Sequence, residues 1–302
     1  ACNFNCIYCK PDSNYCVTPA AKLMTPDEIF SISEIFVGLG IKKIRLTGGE
    51  PFLRKEFRSI LQKLSTLPVK LAITTNGFLI EKFIDDLTAA KLFSVNVSLD
   101  SLESGKFFSI TGNNCFEKII KNILLLSDNG FRVKINVVLM RSSNEQEILD
   151  FIELTRLFPI HVRFIEFMPF RGNQWEQWKM VPFHDILEQV QKSHPVIKLY
   201  APRKSTAKKF KVDGYSGTFS VISTISEPFC SNCNRLRITA SGNLKNCLYS
   251  SVETDLLTPF RNGEDIRPFI ISSVQAKARE RGGVNFDNKE YLDINEMVKI
   301  GG

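Results

Sequence analysis

The sequence is poor in histidine and has no long apolar runs, and both shortages narrow the class of protein. Its 302 residues include three histidines, at positions 161, 184 and 194. No stretch approaches 18 consecutive apolar residues, so we expect no transmembrane span. No basic start followed by an apolar run and a cleavage site is present, so we expect no signal peptide. These features favour a globular cytoplasmic protein of one large domain or two ordinary ones.

The excess of positive charge is small. Against 39 Lys and Arg stand 32 Asp and Glu, which gives a net charge of +7. Such an excess suits an anionic substrate but is too small and too dispersed to indicate nucleic acid. We therefore expect neither nucleic acid nor a membrane as a partner, and we expect the basic run at 203–211 to be a solvated loop or strand face.

Six of the eight cysteines fall into two groups of three. The first group has the spacing C-x3-C-x2-C and the second C-x2-C-x13-C, and they comprise Cys2, Cys6 and Cys9, and Cys230, Cys233 and Cys247. Clustered short spacings in a long chain without a secretion signal favour metal over disulfides. Thiolates are the ligands of iron–sulfur clusters, and three of them leave one iron of a 4Fe–4S cluster open to a substrate.

Zinc is the alternative metal for both cysteine groups. A structural zinc site has four ligands, often with histidine among them, and no histidine lies near either group in the sequence. A zinc site at the first group would have to borrow a distant ligand such as Cys16, and the second group would be a zinc knuckle. Cys115 stands apart, and we expect it to be a small buried hydrophobe.

The first half of the chain alternates between strand and helix patterns. Five predicted strands, from IKKIRL near 41 to HVRFIEFM near 161, alternate with predicted helices at about 26–39, 55–66, 79–90, 115–128 and 144–157. This alternation predicts a parallel α/β sheet. After about residue 180 the pattern changes to short strands and one amphipathic helix at about 264–281. We therefore predict a barrel domain at 1–180 and a smaller α+β module at 181–302.

Polar residues recur at every second position near the carboxyl ends of these strands. Arg45 alternates with Ile44 and Leu46, and Asn96, Ser98, Lys134 and Asn136 alternate with valine and isoleucine in the same way. If helices cover the apolar face, the polar face lines the interior of a β/α barrel, whose chemistry lies at the C-terminal mouth. The pattern therefore predicts a functional lumen.

The first cysteine group resembles the cluster loop of the radical S-adenosylmethionine (SAM) superfamily. Tyr8 gives the aromatic residue before the last cysteine, and GGEP at 48–51 follows a strand as that superfamily's second motif does. The resemblance implies that the open iron chelates SAM, and that an electron from the cluster cleaves SAM to methionine and a 5′-deoxyadenosyl radical, which abstracts hydrogen. A glycine turn with exposed carbonyls suits the methionine ammonium group.

The second cysteine group narrows the resemblance to one family within that superfamily. FCSNCNRLRITASGNLKNCL at 229–248, together with KKIRLTGGEP, TTNG, NVSLD, VKINVV, VRFIEFM and a terminal Gly-Gly, is similar to the molybdenum cofactor biosynthesis protein A family of GTP 3′,8-cyclases. That family implies an incomplete (β/α)6 TIM-like barrel with a C-terminal module that carries a second 4Fe–4S cluster. It also has a strand, with a GTP-binding arginine, ahead of the first cysteine. We therefore expect this sequence to begin inside a longer chain.

The resemblance implies a lyase that converts GTP to 3′,8-cyclo-7,8-dihydro-GTP in the first step of molybdenum cofactor biosynthesis. The radical would remove the ribose 3′ hydrogen, and the resulting carbon radical would add to guanine C8. The implied partners are GTP, an electron donor, a downstream cyclic pyranopterin monophosphate synthase and a second copy in a homodimer. The alternatives are a peptide-modifying radical SAM enzyme, which usually has more C-terminal cysteines, and a zinc or electron-transfer protein.

The family's site residues carry over to matching positions. The two cysteine groups would hold the clusters, and SAM would contact Tyr8, Gly49, Ser98 and Met168. GTP would contact Arg45, Thr74, Lys134, Arg163, Arg235 and Arg237, and the tail Gly301–Gly302 would reach the active site. Because Arg163 and Met168 differ in parity on one strand, both reach the site only if the chain bulges or turns before Pro169.

Overall fold

A computed structural model describes residues 1–9, 18–200, 202, 205–286 and 297–300 of the chain. One sheet of eight strands dominates it, in the order β1-β2-β3-β4-β5-β8-β7-β6. Its strands are β1 (Lys43–Leu46), β2 (Lys70–Thr75), β3 (Ser94–Ser98), β4 (Val133–Leu139), β5 (His161–Glu166), β6 (Val196–Lys198), β7 (Lys208–Val212) and β8 (Thr218–Ile222). The first five strands are parallel in chain order, and β8 continues the parallel part beside β5. The fold is therefore an incomplete β/α barrel, as predicted.

Helices follow the parallel strands and cover one face of the sheet. They are α1 (Pro26–Gly38), α2 (Phe57–Ser65), α3 (Ile84–Ala89), α4 (Ser104–Thr111), α5 (Phe116–Asp128), α6 (Ile148–Leu157) and α7 (Phe183–Ser193). Helix α1 begins where the T-P-D-E sequence predicts, because Thr25 and Glu28 form a capping box and Pro26 occupies the first turn. The sequence did not predict α4 or α7, and the predicted helix at 79–90 is divided into a 3-10 turn (Ile80–Lys82) and α3.

The core lies between the sheet and these helices. Val95, Val97, Ile135, Val137 and Phe164 alternate with the polar positions and are at most 1% exposed. Burial of each such side chain contributes about 1.5–3 kcal/mol. Cys115 belongs to the same core, so the prediction of a buried hydrophobe is confirmed. The apolar parity thus fixes which face of the sheet remains for polar side chains.

The C-terminal part contributes strands to both sheets of the protein. Strands β6 and β7 run antiparallel at the edge of the main sheet, beside β8. A second sheet joins β9 (Arg237–Ile238), β10 (Asn243–Lys245) and β11 (Thr254–Asp255). Helices α8 (Leu257–Arg261) and α9 (Arg267–Gln275) follow it, and α10 (Met297–Ile300) is the last described element. A predicted domain boundary near 180 remains a prediction.

The second sheet packs against the first helix of the barrel. Ile32 and Phe36 of α1 share a buried cluster with Leu244, Leu257 and Ile270. The amphipathic helix predicted at 264–281 is wrong in its last turn, because α9 ends at Gln275 and a separate turn follows at Arg281–Gly283. In the described part of the chain, no helix is long and apolar enough to cross a membrane.

Candidate active site in the barrel lumen

The polar residues predicted to face the lumen do share one face of the sheet. Strand register pairs Thr74 with Asn96, Asn96 with Lys134, and Lys134 with His161. One step further along the strands, Asn136 pairs with Arg163, which in turn pairs with Ser220 of β8. Paired residues of parallel strands point to the same side, so the period-two prediction is confirmed for Asn96, Ser98, Lys134 and Asn136 of β3 and β4.

Cations dominate this polar face. Arg45 donates from Nη1 to Oγ1 of Thr74 over 3.1 Å. Burial and then the charge of Arg235 lower the pKa of Arg45 to about 10. For Arg163, burial, Arg45 and Arg235 lower the pKa to about 10. For Lys134, burial and then Arg163 lower the pKa to about 7. Cations that lower one another's pKa in this way favour the binding of a polyanion.

The same face carries a lysine that sequence reasoning missed. Lys43 lies two residues before Arg45 on β1, so its parity could have revealed it. Burial and then the charge of Arg45 lower the pKa of Lys43 to about 8. Two buried polar atoms of the face, Oδ1 of Asn96 and Nε of Arg163, have no hydrogen-bond partner in the described part of the chain. Buried polar atoms are normally paired, so these fit a polar ligand.

The first cysteine group lies in a loop at the carboxyl ends of the strands. The backbone N–H groups of Asn5 and Ile7 donate to the carbonyls of Thr111 and Ile110 over 2.9 and 3.0 Å. After β1, the N–H of Glu50 donates to the carbonyl of Ala1 over 2.8 Å. A Cβ on Gly49 would lie 2.2 Å from that carbonyl oxygen, so only glycine permits this approach.

Glu50 links three motifs that sequence analysis treated separately. Its buried carboxylate accepts from Oγ1 of Thr75 over 2.9 Å and from the N–H groups of Asn76 and Phe52 over 2.7 and 3.1 Å. Asn76 in turn donates from Nδ2 to Oδ1 of Asn3 over 2.8 Å. Burial raises the pKa of Glu50 to about 7. The GGEP turn, the TTNG turn and the cysteine loop thus form one hydrogen-bonded unit.

Asp100 holds the aromatic residue of the cysteine loop. The Tyr8 hydroxyl donates to Oδ2 of Asp100 over 2.7 Å, and the N–H of Val138 donates to Oδ1 over 2.9 Å. Burial raises the pKa of Asp100 to about 6. Burial, and then the charges of Asp100, Cys9 and Cys2, raise the pKa of the Cys6 thiol.

Asn173 connects the Met168 segment to the same loop. Strand β5 ends at Glu166, so the parity of Arg163 no longer applies at Met168. Asn173 donates from Nδ2 to the carbonyls of Met168 and Tyr8 over 2.8 and 3.3 Å. Ser98 is the last residue of β3 and lies on the polar face, where it pairs with Asn136.

The second cysteine group is framed by donors and cations. Cys230 starts a 3-10 turn, in which the N–H of Cys233 donates to its carbonyl over 3.0 Å. The backbone N–H of Arg281 lies 3.4 Å from Sγ of Cys230, and Nζ of Lys277 lies 3.7 Å from Sγ of Cys233. Although burial opposes it, the pKa of Cys233 is lowered, by the backbone N–H of Arg235 and by the charges of Arg235 and Lys277.

Arg237 and Glu166 complete the surroundings of the second cysteine group. Burial and then the charge of Arg235 lower the pKa of Arg237 to about 10, whereas the thiolate charges of Cys247 and Cys233 oppose that shift. Buried Glu166 accepts from the N–H groups of Ile225 and Ser226 over 2.7 and 3.1 Å. This carboxylate fixes the segment that leads to Cys230.

Each of the two groups offers three cysteine thiols, a donor set that an iron–sulfur cluster can use. All seven cysteines in the described ranges are thiols. No three His, Cys, Asp or Glu side chains of those ranges are arranged to bind one metal ion. Cys16, Gly301 and Gly302 lie outside the described residues.

An incomplete β/α barrel with three thiols in a loop over the carboxyl ends of its strands is the architecture of a radical SAM protein. Residues 1–155 match the Radical SAM superfamily, and residues 160–282 match the family described as Molybdenum Cofactor Synthesis C. Among solved structures, Streptococcus suis SuiB bound to SAM aligns with a TM-score of 0.66 at 16% identity, over 98% of this chain and 69% of that one. That likeness concerns the fold alone.

Curated relatives give the narrower family. The mitochondrial GTP 3′,8-cyclase of Arabidopsis thaliana is 41% identical over 100% of this chain and 78% of its own length. The GTP 3′,8-cyclase of Peptoclostridium acidaminophilum is 37% identical over 100% and 92%. Human molybdenum cofactor biosynthesis protein 1 is 41% identical over 94% of this chain, which spans only 46% of that protein. The chain belongs to the molybdenum cofactor biosynthesis family of radical SAM proteins that includes the GTP 3′,8-cyclases.

Proposed function

We propose that this chain is a radical SAM GTP 3′,8-cyclase, a lyase that forms 3′,8-cyclo-7,8-dihydro-GTP in the first step of molybdenum cofactor biosynthesis. One observation carries the proposal: a half-buried cationic face lies on the strands below the first thiol group and is electrostatically coupled to the second. Arg45 links the two sites, since it lies four residues before Gly49 and interacts with the charge of Arg235.

Two 4Fe–4S clusters are part of the proposal. Cys2, Cys6 and Cys9 would hold the first, and Cys230, Cys233 and Cys247 the second, each with one iron left for a ligand. When bound and reduced, the first cluster with SAM supplies a 5′-deoxyadenosyl radical that can abstract hydrogen. The role of the protein is to hold SAM and GTP in fixed positions relative to each other and to exclude water.

We assign SAM binding to residues at the carboxyl ends of the strands, namely Tyr8, Gly49, Ser98 and Met168. Gly49 supports this assignment, because the absence of a side chain lets the GGEP turn reach the cysteine loop. Carbonyls exposed at that turn suit an ammonium group. The hydrogen bonds of Asn173 to the carbonyls of Met168 and Tyr8 keep that segment beside the loop.

The triphosphate of GTP would occupy the cationic face, with guanine toward the second thiol group. Its assigned contacts are Arg45, Thr74, Lys134, Arg163, Arg235 and Arg237, and Lys43 joins them by its position. Burying several like charges is costly without a counter-charge, and a triphosphate with about four negative charges offsets that cost. The unpartnered Nε of Arg163 and Oδ1 of Asn96 offer further contacts. Fixed phosphates would place the ribose 3′ carbon for hydrogen abstraction and for bonding to C8.

Several wider predictions rest on the family. They are a downstream cyclic pyranopterin monophosphate synthase that takes the product, an external electron donor, a homodimer, a cytoplasmic location and a role for Gly301–Gly302. The Arabidopsis relative is named as mitochondrial. Fractionation of the source cells would therefore test the location directly.

Anaerobic reconstitution followed by turnover tests the proposal. We expect about eight irons per chain with matching sulfide, and 5′-deoxyadenosine that forms faster when GTP is added to SAM and reductant. With GTP deuterated at the ribose 3′ carbon, deuterium should appear in the deoxyadenosine. Arg163→Met should abolish the stimulation by GTP. Zinc in place of iron, or deoxyadenosine formation indifferent to GTP, would contradict the assignment.

A further inference from the structure

The second thiol group is capped by a segment that the cysteine motif does not contain. Helix α9 ends at Gln275, and the N–H of Lys277 donates to the carbonyl of Val274 over 3.2 Å, which anchors the residue just beyond the helix. From there, Nζ of Lys277 reaches both Sγ of Cys233, at 3.7 Å, and the carbonyl of Arg235, at 3.0 Å. An ammonium group therefore lies against a thiol from outside the motif.

The turn at Arg281–Gly283 adds a second donor. The backbone N–H of Arg281 lies 3.4 Å from Sγ of Cys230. Three contacts hold the turn in place. The Arg281 guanidinium donates to the carbonyl of Ile225 over 3.0 Å and lies 5.0 Å from the ring of Phe286. Gly282 has φ +67 and no room for a Cβ, which would lie 2.8 Å from the backbone nitrogen of Ser250.

The two thiol groups thus have opposite surroundings. The buried carboxylate of Asp100 lies at the first group, where it accepts from the hydroxyl of Tyr8. The ammonium group of Lys277 lies 3.7 Å from Sγ of Cys233 in the second group. Reduction adds one negative charge to a cluster, so nearby cations and hydrogen bonds to its sulfurs raise the reduction potential, and a nearby carboxylate lowers it.

We propose that Lys277 and the backbone N–H of Arg281 donate hydrogen bonds to the thiolates of Cys233 and Cys230 and so raise the reduction potential of the second cluster. This inference rests on the proposed second cluster. Lys277 is a positioning residue in this role: it touches a ligand of the cluster and neither substrate nor SAM. Through this bond, Lys277 keeps the reduction potential of the second cluster above that of the first.

Redox titration followed by EPR tests the inference in the reconstituted protein with both clusters. Added SAM shifts the signal of the first cluster and so identifies that of the second. In Lys277→Met, the midpoint of the second cluster should fall by about 59 mV, which is a tenfold change in a one-electron equilibrium. Lys277→Arg keeps the charge and the donor and should stay at the wild-type value. Lys192→Met removes an exposed lysine on α7, paired with Glu188, and should leave both midpoints unchanged.

A second measurement does not depend on the potential. After exchange into D2O, pulsed ENDOR of the reduced second cluster should detect a deuteron that Lys277→Met lacks and Lys277→Arg keeps. If the Met variant loses iron, Lys277→Gln, with a neutral donor, should show a smaller shift of the same sign. An unchanged midpoint with full iron content would overturn the inference alone. A wild-type chain with about four irons would overturn both the inference and the second cluster.

Discussion

The hydroxyl group of Tyr8 donates a 2.7 Å hydrogen bond to the buried carboxylate of Asp100. The two residues lie 92 positions apart, one in the cysteine loop and one just after β3. Because Asp100 also accepts from the N–H of Val138 on β4, it connects the loop to two strands of the sheet. This bond is one side-chain tether of the first cluster loop, alongside the bond from Asn76 to Asn3.

Loss of that tether should loosen the first cluster. In Tyr8→Phe, Asp100 retains only the Val138 donor, and an unsatisfied buried group costs about 1–3 kcal/mol. We expect the reconstituted variant to lose iron from the first site more quickly during gel filtration, while the second site stays loaded. Tyr215→Phe is the matched control, because Tyr215 bonds to Glu153 and not to the site. Equal iron retention in wild type and Tyr8→Phe would show that the bond does not hold the loop.

A methyl group at Gly49 should displace the cysteine loop from the GGEP turn. The added Cβ would lie 2.2 Å from the carbonyl oxygen of Ala1, and backbone at that distance must move. Misplacement by about 1 Å can cost about 100-fold in rate, so we expect a loss of that order in the formation of deoxyadenosine. The control is Gly105→Ala in α4, where the new Cβ meets nothing within 4 Å. Wild-type turnover in Gly49→Ala would contradict the close approach.

GTP binding should weaken as pH rises above neutrality. Lys134 has a pKa lowered to about 7 by burial and then by Arg163, and a bound triphosphate would raise it. Above pH 7 the free protein must take up a proton in order to bind, so affinity should fall by up to about tenfold per pH unit until the bound-state pKa is reached. Calorimetry between pH 7 and 8, where Lys134 titrates before Lys43 with its pKa of about 8, would measure this slope, and Lys134→Met should remove most of it. A slope unchanged by the substitution would assign the proton to another group.

Acid should destabilise the fold through His161. Both ring nitrogens lie within 2.8 Å of the Thr218 and Ser220 hydroxyls. Burial and then Arg163 lower its pKa to about 3. The unfolded chain therefore takes up the proton first, so stability is full above pH 6.5 and falls below it by up to about 1.36 kcal/mol per pH unit.

The comparison with His161→Gln isolates this contribution. Urea unfolding at pH 7 and pH 5 should show a loss in wild type that exceeds the loss in the variant by about 2 kcal/mol. Glu50 and Asp100 have raised pKa values and act in the opposite direction, but they are common to both proteins. Parallel losses in the two proteins would exclude His161 as the source.

The family could be recognised from the sequence because the motifs that define it are local. Cysteine spacing, the glycine turn and period-two polarity each depend on a few neighbouring residues, and strand parity alone predicts that Arg45 and Lys134 share one face, whereas Arg163 came from the family resemblance. The missed elements have equally local reasons. Helix α4, at 104–111, follows β3 closely, so the alternation of strands and helices predicts only α5 after that strand. Helix α9 ends at Gln275, before the predicted amphipathic pattern ends.

Local sequence patterns are sufficient to identify the thiol groups, the alternation of strands and helices, and the cations that alternate with apolar residues, since chain geometry translates each pattern directly into position. The residues that support these features become apparent only in the folded protein. Glu50 with Asn76, Tyr8 with Asp100, and Lys277 with Cys233 are separated by 26, 92 and 44 residues. No periodicity reaches across such distances, because these contacts arise only when the strands align and bring their carboxyl ends to one edge.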